Sequence, residues 1–318
     1  MKNMGDYTKL NAVKPKKALG QHFLVDLDIA RNIVGAMSKD HDVVIEVGAG
    51  MGVLTQYIIE DQLDKLKVVE IDGESVDYLL KKFPVLDGHI VFGDFLKYDI
   101  ANGQRTTEVT PLGRNDVADR QRTTEVTPLG RNDVADRQRT TEVTPLAALG
   151  RNDVPDGGGE KNDVAVIGNF PYNISSQIFF QILKYRDCVS ESVGMVQKEV
   201  AERLAAGPGS KTYGILSVLL QAWYDIEYLF TVHENVFNPP PKVKSAVIRL
   251  KRNGVKELGC DEKFFVTVVK QAFNQRRKTM RNSLRSLIPT EIIDNEIFNK
   301  RPEQLSVAEF VDLTNMLS

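Results

Sequence analysis

Residues 42–55 read DVVIEVGAGMGVLT, an apolar, β-branched stretch that runs into a glycine turn and then into residues with helical spacing. The same grammar recurs downstream. KVVEID (67–72) is a second strand with an acid at its end, ESVDYLLKKF (74–83) a second helix, HIVFGD (89–94) a third strand and DVAVIGNF (163–170) a fourth. Strand, helix, strand, helix, strand in that order predicts an α/β fold with a parallel sheet covered by helices, and ligands in such sheets bind beyond the carboxyl ends of the strands. SVGMVQ (192–197) and SAVIRL (245–250) supply further strands. From Val255 onward EKFFVTVVKQAF, EIIDNEIF and SVAEFVDLTNML read as helices, so the chain divides into a sheet domain over 1–254 and a small all-helical domain over 255–318.

A repeat interrupts the first domain. QRTTEVTPLGRNDVADR at 104–120 recurs at 121–137 and, broken by AAL, from 138 to 156, with GGGE following. Each copy balances its charges and offers only isolated Val and Leu, too little apolar surface to stack as a solenoid. Residues 104–160 are therefore expected to form a solvated, disordered insertion, which chain entropy tolerates because closure cost grows only logarithmically with loop length.

Bulk properties narrow the class. Two cysteines, Cys188 and Cys260, and 4 histidines are too few and too scattered for a disulfide framework or a zinc site, so no metal is expected. The N-terminal residues carry lysines without an apolar core, and no segment is long enough to span a membrane; a cytoplasmic protein is expected. Net charge is only −2, yet the basic residues are segregated. Lys9, Lys14, Lys16 and Lys17 cluster early, Lys242, Lys244, Arg249, Lys251 and Arg252 later, and NQRRKTMRNSLR (274–285) holds five cations without an acid. Segregated cations are what phosphate binding needs, although a solvated helix face accounts for any one cluster alone.

Gly48, Gly50 and Gly52 sit at the turn from the first strand into the first helix, where backbone can approach a ligand and helix amides are unpaired. Their G-x-G-x-G spacing differs from the dinucleotide fingerprint G-x-G-x-x-G. Glu70, ending the second strand, can accept both ribose hydroxyls of a nucleoside; Asp94, ending the third, can accept from an adenine amine. Each feature alone is ordinary strand-end geometry, but together they describe an adenosine pocket and favour S-adenosylmethionine as cofactor.

At the fourth strand end stands NFPY, residues 169–172. By itself the tetrapeptide reads equally as a turn, with Asn bonding its own backbone and Tyr filling a groove. Beside an S-adenosylmethionine pocket it reads as a site. The side-chain oxygen of Asn169 and the carbonyl of Phe170 or Pro171 can accept both N–H groups of an adenine amine, Pro171 stiffens the loop, and Tyr172 stacks on a base swung out of its helix.

The motifs KKALGQHFL, EVGAGMGVLT, VVEID, GDFL, IGNFPYNIS, MVQKEVAERLAAGPGSKTYGILSVLLQ, VFNPPPKVKSAVIRL and AFNQRRKTMRNSL resemble those of the ribosomal RNA adenine dimethyltransferase family, across the chain outside the first residues and the repeat. The resemblance implies a Rossmann-like S-adenosylmethionine-dependent sheet with a helical C-terminal domain that binds rRNA. It implies a monomer that dimethylates two adjacent adenines near the 3′ end of 16S rRNA in the assembling 30S subunit. Carried over, His22 and Leu24 form the cofactor's cover, Gly48 its methionine end, Glu70 the ribose contact and Asp94 the adenine contact. Asn169 meets both the cofactor edge and the target amine, and Tyr172 and Phe237 hold the target base between aromatic faces. Lys16, Lys17, Lys211, Arg276, Arg277, Lys278 and Arg281 face RNA. Three features depart from the family pattern: His22 stands at a position where Asn is common, Phe170 where Leu is usual, and the repeat replaces a shorter connection. Two alternatives stay open, a 23S rRNA adenine methyltransferase of the macrolide-resistance type and a non-catalytic ribosome-assembly factor.

Overall fold

The computed structural model describes residues 13–102 and 162–318, with the backbone of 104–105. Residues 1–12, with Lys9, and the expected disordered repeat beyond Arg105 lie outside the described residues, while Gln104–Arg105 pair antiparallel with Tyr98–Asp99. Seven strands form the main sheet: β1 (Val43–Val47), β2 (Leu66–Glu70), β3 (Ile90–Phe92), β4 (Val164–Asn169), β5 (Val189–Gln197), β6 (Tyr224–Val232) and β7 (Ser245–Arg252). Their spatial order is β3-β2-β1-β4-β5-β7-β6. The first five are parallel, while β7 runs antiparallel to both of its neighbours.

The order reverses between β1 and β4, because the chain builds outward to β3 and then returns to pair β4 with β1 on its other side. That reversal opens a crevice at the carboxyl ends of these two strands. Gly48 and Asn169 stand there.

Both faces of the sheet are covered. On β1, Ile45 and Val47 join one buried cluster and Val44 the other, as the two-residue period of a strand requires. Val44 packs with residues of α1 (Leu27–Gly35), α2 (Thr55–Gln62) and α3 (Gly73–Lys82), among them Ile33, Ile58 and Leu79. Asp26 caps α1 by accepting from the amides of Asp28 and Ile29, and Asp72 caps α3 by accepting from Glu74.

The other face carries α4 (Ser175–Lys184), α5 (Lys198–Ala205), α6 (Ile215–Gln221), α7 (Glu262–Asn274), the single turn α8 (Met280–Ser283) and α9 (Val307–Leu317). Phe265, Phe273 and Phe310 of the C-terminal helices belong to the same buried cluster as Ile45, Val166, Phe179 and Trp223. Ser306 and Glu309 close α9 with a reciprocal capping box.

Two sequence expectations change. EIIDNEIF, read as a helix, forms two 3-10 turns, Thr290–Ile292 and Glu296–Asn299, with Asn295 capping the second through the amide of Ile297. The side chain of Asn295 competes with helix continuation for backbone donors. The edge strand β6 was not anticipated; it makes a hairpin with β7, irregular between Val247 and Ile248.

Candidate active site

The crevice holds about 170 Å3 of space and opens to solvent. Gly48, Glu70, Asp94, Asn169 and Tyr172 all line it. Gly48 has φ +68°, and among the described residues the only atoms within 4 Å of a side chain built there are those of the Pro171 ring, the nearer at 3.9 Å. Any side chain at 48 would be strained and would project into the crevice.

Glu70 ties the turn to the second strand. One carboxylate oxygen accepts from the amide of Gly50 and the other from that of Asp72, both at 2.9 Å. Burial raises its pKa, and the two amides oppose that shift. Each oxygen retains a lone pair for a hydroxyl. Asp94 accepts from the amide of Leu96 at 3.0 Å with one oxygen and presents the other.

Asn169 ends β4. Its side-chain NH2 donates to the carbonyl of His22 at 2.9 Å. A flipped amide would set two oxygens against each other, so this contact fixes the side-chain oxygen as the free acceptor.

The tetrapeptide forms a turn, and all four of its residues line the crevice. The amide of Phe170 donates to Met195 O at 3.0 Å, and the carbonyl of Pro171 accepts from Ile174 at 3.2 Å as the chain enters α4. Among the described residues this leaves the carbonyl of Phe170, rather than that of Pro171, as the second available acceptor. The Phe170 ring is fully buried, edge-on to Phe179, and only a glycine at 194 makes room for it, since a Cβ there would lie 2.3 Å from the ring. Tyr172 is half-buried and bonds through its hydroxyl to Ser245 Oγ at 2.5 Å.

Residues 12–318 match the family described as ribosomal RNA adenine dimethylase. The chain belongs to that family. It is similar to a ribosomal RNA small subunit methyltransferase A of Parabacteroides distasonis, 51% identical over 308 residues, covering 96% of this chain and 94% of the relative. A protein of the same description from Cytophaga hutchinsonii is 49% identical over 312 residues, covering 97% and 99%. Among solved structures, a dimethyladenosine transferase from Plasmodium falciparum superposes with a TM-score of 0.63 at 21% identity, covering 92% of this chain and 96% of that one. The 23S rRNA methyltransferase ErmE superposes at 0.53 and 19%, covering 91% and 99%. Both likenesses are of fold, and the Rossmann-like methyltransferase sheet expected from the sequence is the one observed.

Against the family pattern, two residues stand apart from the crevice. Leu24 is 1% and Phe237 4% exposed; the two pair across a short antiparallel ladder and pack into the core under the crevice. Burial leaves Phe237 without a free aromatic face for a base, in contrast to its expected role. His22 does reach the crevice, where its ring stacks on Tyr172.

The expected RNA-facing cations also divide. Lys17, Lys211, Arg277 and Lys278 are exposed. Lys16 is engaged by Asp72 at 2.5 Å and Glu74 at 3.3 Å, which raise its pKa. Arg276 donates to the carbonyls of Lys211 and Tyr213, clamping the loop before α6 to the end of α7, and Arg281 pairs with Asp294 at 3.3 Å. Sequence reasoning missed Ile71, 48% exposed and lining the crevice directly after Glu70. An apolar residue just beyond a strand-end acid, outside the sheet, is the signal that points to it.

Proposed function

We propose that this chain transfers methyl groups from S-adenosylmethionine to the exocyclic amines of two adjacent adenines in the 3′-terminal loop of 16S rRNA, acting as a cytoplasmic monomer on the assembling small subunit. The observation that carries the reading is the amide of Asn169, oriented by the His22 carbonyl so that its oxygen faces the crevice. The residues present fit the cofactor: an open floor at Gly48, two carboxylates with spare acceptor capacity at Glu70 and Asp94, and an exposed apolar face at Ile71.

When bound, S-adenosylmethionine supplies a methyl group on a cationic sulfur. Glu70 would hold the ribose hydroxyls and Asp94 the adenine amine, with Ile71 against the adenine ring and the main chain at His22 and Leu24 as the cover, the His22 ring being turned to Tyr172 and the Leu24 side chain to the core. Asn169 Oδ1 and Phe170 O accept the two N–H groups of the target amine. Those bonds draw its nitrogen lone pair out of the ring and aim it at the donor, so alignment supplies much of the rate. Tyr172 stacks on the extruded base, and the proton lost from the amine leaves to solvent. Exposed Lys17, Lys211, Arg277 and Lys278 meet phosphates.

The test is incubation of the protein with labelled S-adenosylmethionine and unmethylated 30S subunits or 23S rRNA, with dimethyladenosine as the readout. Label confined to the small-subunit RNA is expected, in line with the description of the relatives near 50% identity. Label in 23S rRNA would favour the macrolide-resistance activity, and label in neither RNA an assembly factor without turnover.

A further inference from the structure

His22 touches both residues that meet the target base. Its carbonyl holds the amide of Asn169, and its ring lies over Tyr172 with centroids 5.5 Å apart and planes at 27°. Each ring is anchored: His22 Nδ1 donates to the carbonyl of Pro239 at 2.8 Å, and the Tyr172 hydroxyl bonds to Ser245. A base between two stacked rings needs them about 7 Å apart, two layers of about 3.5 Å each. The observed pair is too close to admit one. Phe237, the other aromatic residue expected at the slot, is buried.

We propose that the His22 imidazole is a placeholder: in the free protein it covers the face of Tyr172 on which the target adenine stacks, and it gives way to that base when RNA binds. The proposal rests on the methyl-transfer reading above. The exchange requires only rotation of the His22 side chain and loss of its bond to Pro239. The backbone carbonyl that orients Asn169 stays in place, so the acceptor is set before the base arrives. Holding the ring costs the same for every RNA, and only a base swung fully into the slot regains the stacking that is lost. His22 is therefore a positioning residue that favours a fully extruded base over a partly inserted one.

Three variants separate the ring from its hydrogen bond. His22→Ala removes both, His22→Asn keeps a donor for Pro239 without a ring, and His22→Phe keeps a ring without the donor. In methylation assays on 30S particles, Ala and Asn are expected to lower KM for the particle by about two- to tenfold, the range set by one aromatic stacking contact, while Phe stays close to the unaltered protein. Cofactor affinity measured by calorimetry is expected to stay constant across the series. In NMR spectra, the His22 ring protons should lose their Tyr172 ring-current shift on addition of an RNA hairpin carrying the two target adenines. A hairpin abasic at those positions should leave the shift in place. A raised or unchanged KM in His22→Ala, a loss of cofactor affinity in that variant, or displacement by the abasic hairpin would overturn the proposal. Failure of the underlying reading looks different: the unaltered protein would then methylate no small-subunit particle, whatever the variants do.

Discussion

Asn169 carries the most consequence of any single side chain, because one end of its amide is spent on His22 and the other faces the crevice. Asn169→Ala removes an acceptor made for the reacting amine and is expected to lower kcat about 100-fold or more in the 30S methylation assay, with RNA affinity by filter binding changed less than about twofold. Glu46 tells a second residue-scale story. It is 1% exposed on β1, with the hydroxyl and amide of Thr55 near its carboxylate but outside good hydrogen-bond geometry. Burial pushes its carboxyl up to about 8 and the charge of nearby Glu70 adds to the shift, while Thr55 opposes it. A carboxyl whose folded pKa lies above its ordinary value of 4.5 favours the folded state fully below that value, and the advantage is lost as pH rises through about 8. Glu46→Gln cannot titrate. The fall in melting temperature between pH 5 and pH 8 is expected to shrink in that variant, and an unchanged pH profile would count against a buried proton on Glu46.

At the scale of elements, the junction between α7 and α8 shows how similar side chains take different tasks. Arg276 holds the Lys211–Tyr213 loop by its carbonyls, and Tyr213 in turn meets Phe273 of α7 edge-on at 6.4 Å. Arg277, the next residue, is exposed and makes no ion pair among the described residues. Arg276→Ala is therefore expected to cost about 1–2 kcal/mol of folding stability in denaturant titrations, since two charged hydrogen bonds at the surface are lost. Arg277→Ala should leave stability unchanged, weaken RNA binding and reduce the slope of affinity against salt by about one. NQRRKTMRNSLR displays five cations in a row of equal standing. Which of them is free depends on carbonyls contributed by a loop about 65 residues away.

At the scale of the molecule, α7 and α9 complete the sheet's second face. Trp223, the chain's single tryptophan, lies edge-on to Phe265 of α7 at 6.2 Å, with the Arg186 guanidinium 4.5 Å above its ring. A chain ending at residue 254 would expose that face, and its tryptophan emission is expected to shift to the red with loss of a cooperative melt. Deleting residues 104–156 is expected to leave methyl transfer within about twofold, since shortening a long connection changes closure entropy little; loss of activity would give the repeat a role. By itself the sequence determined the sheet strands other than β6, the glycine turn, the acids at strand ends and the helix at 307–317. Those features are written in side-chain period and in neighbours a few residues apart. Only the tertiary structure decided that His22 orients Asn169 from 147 residues away, that Tyr172 is tethered to Ser245 across 73, and that Phe237 lies under the crevice instead of in it. The physical reason is that a hydrogen bond or a buried face belongs to two segments at once, and no spacing within one segment records where the other will pack.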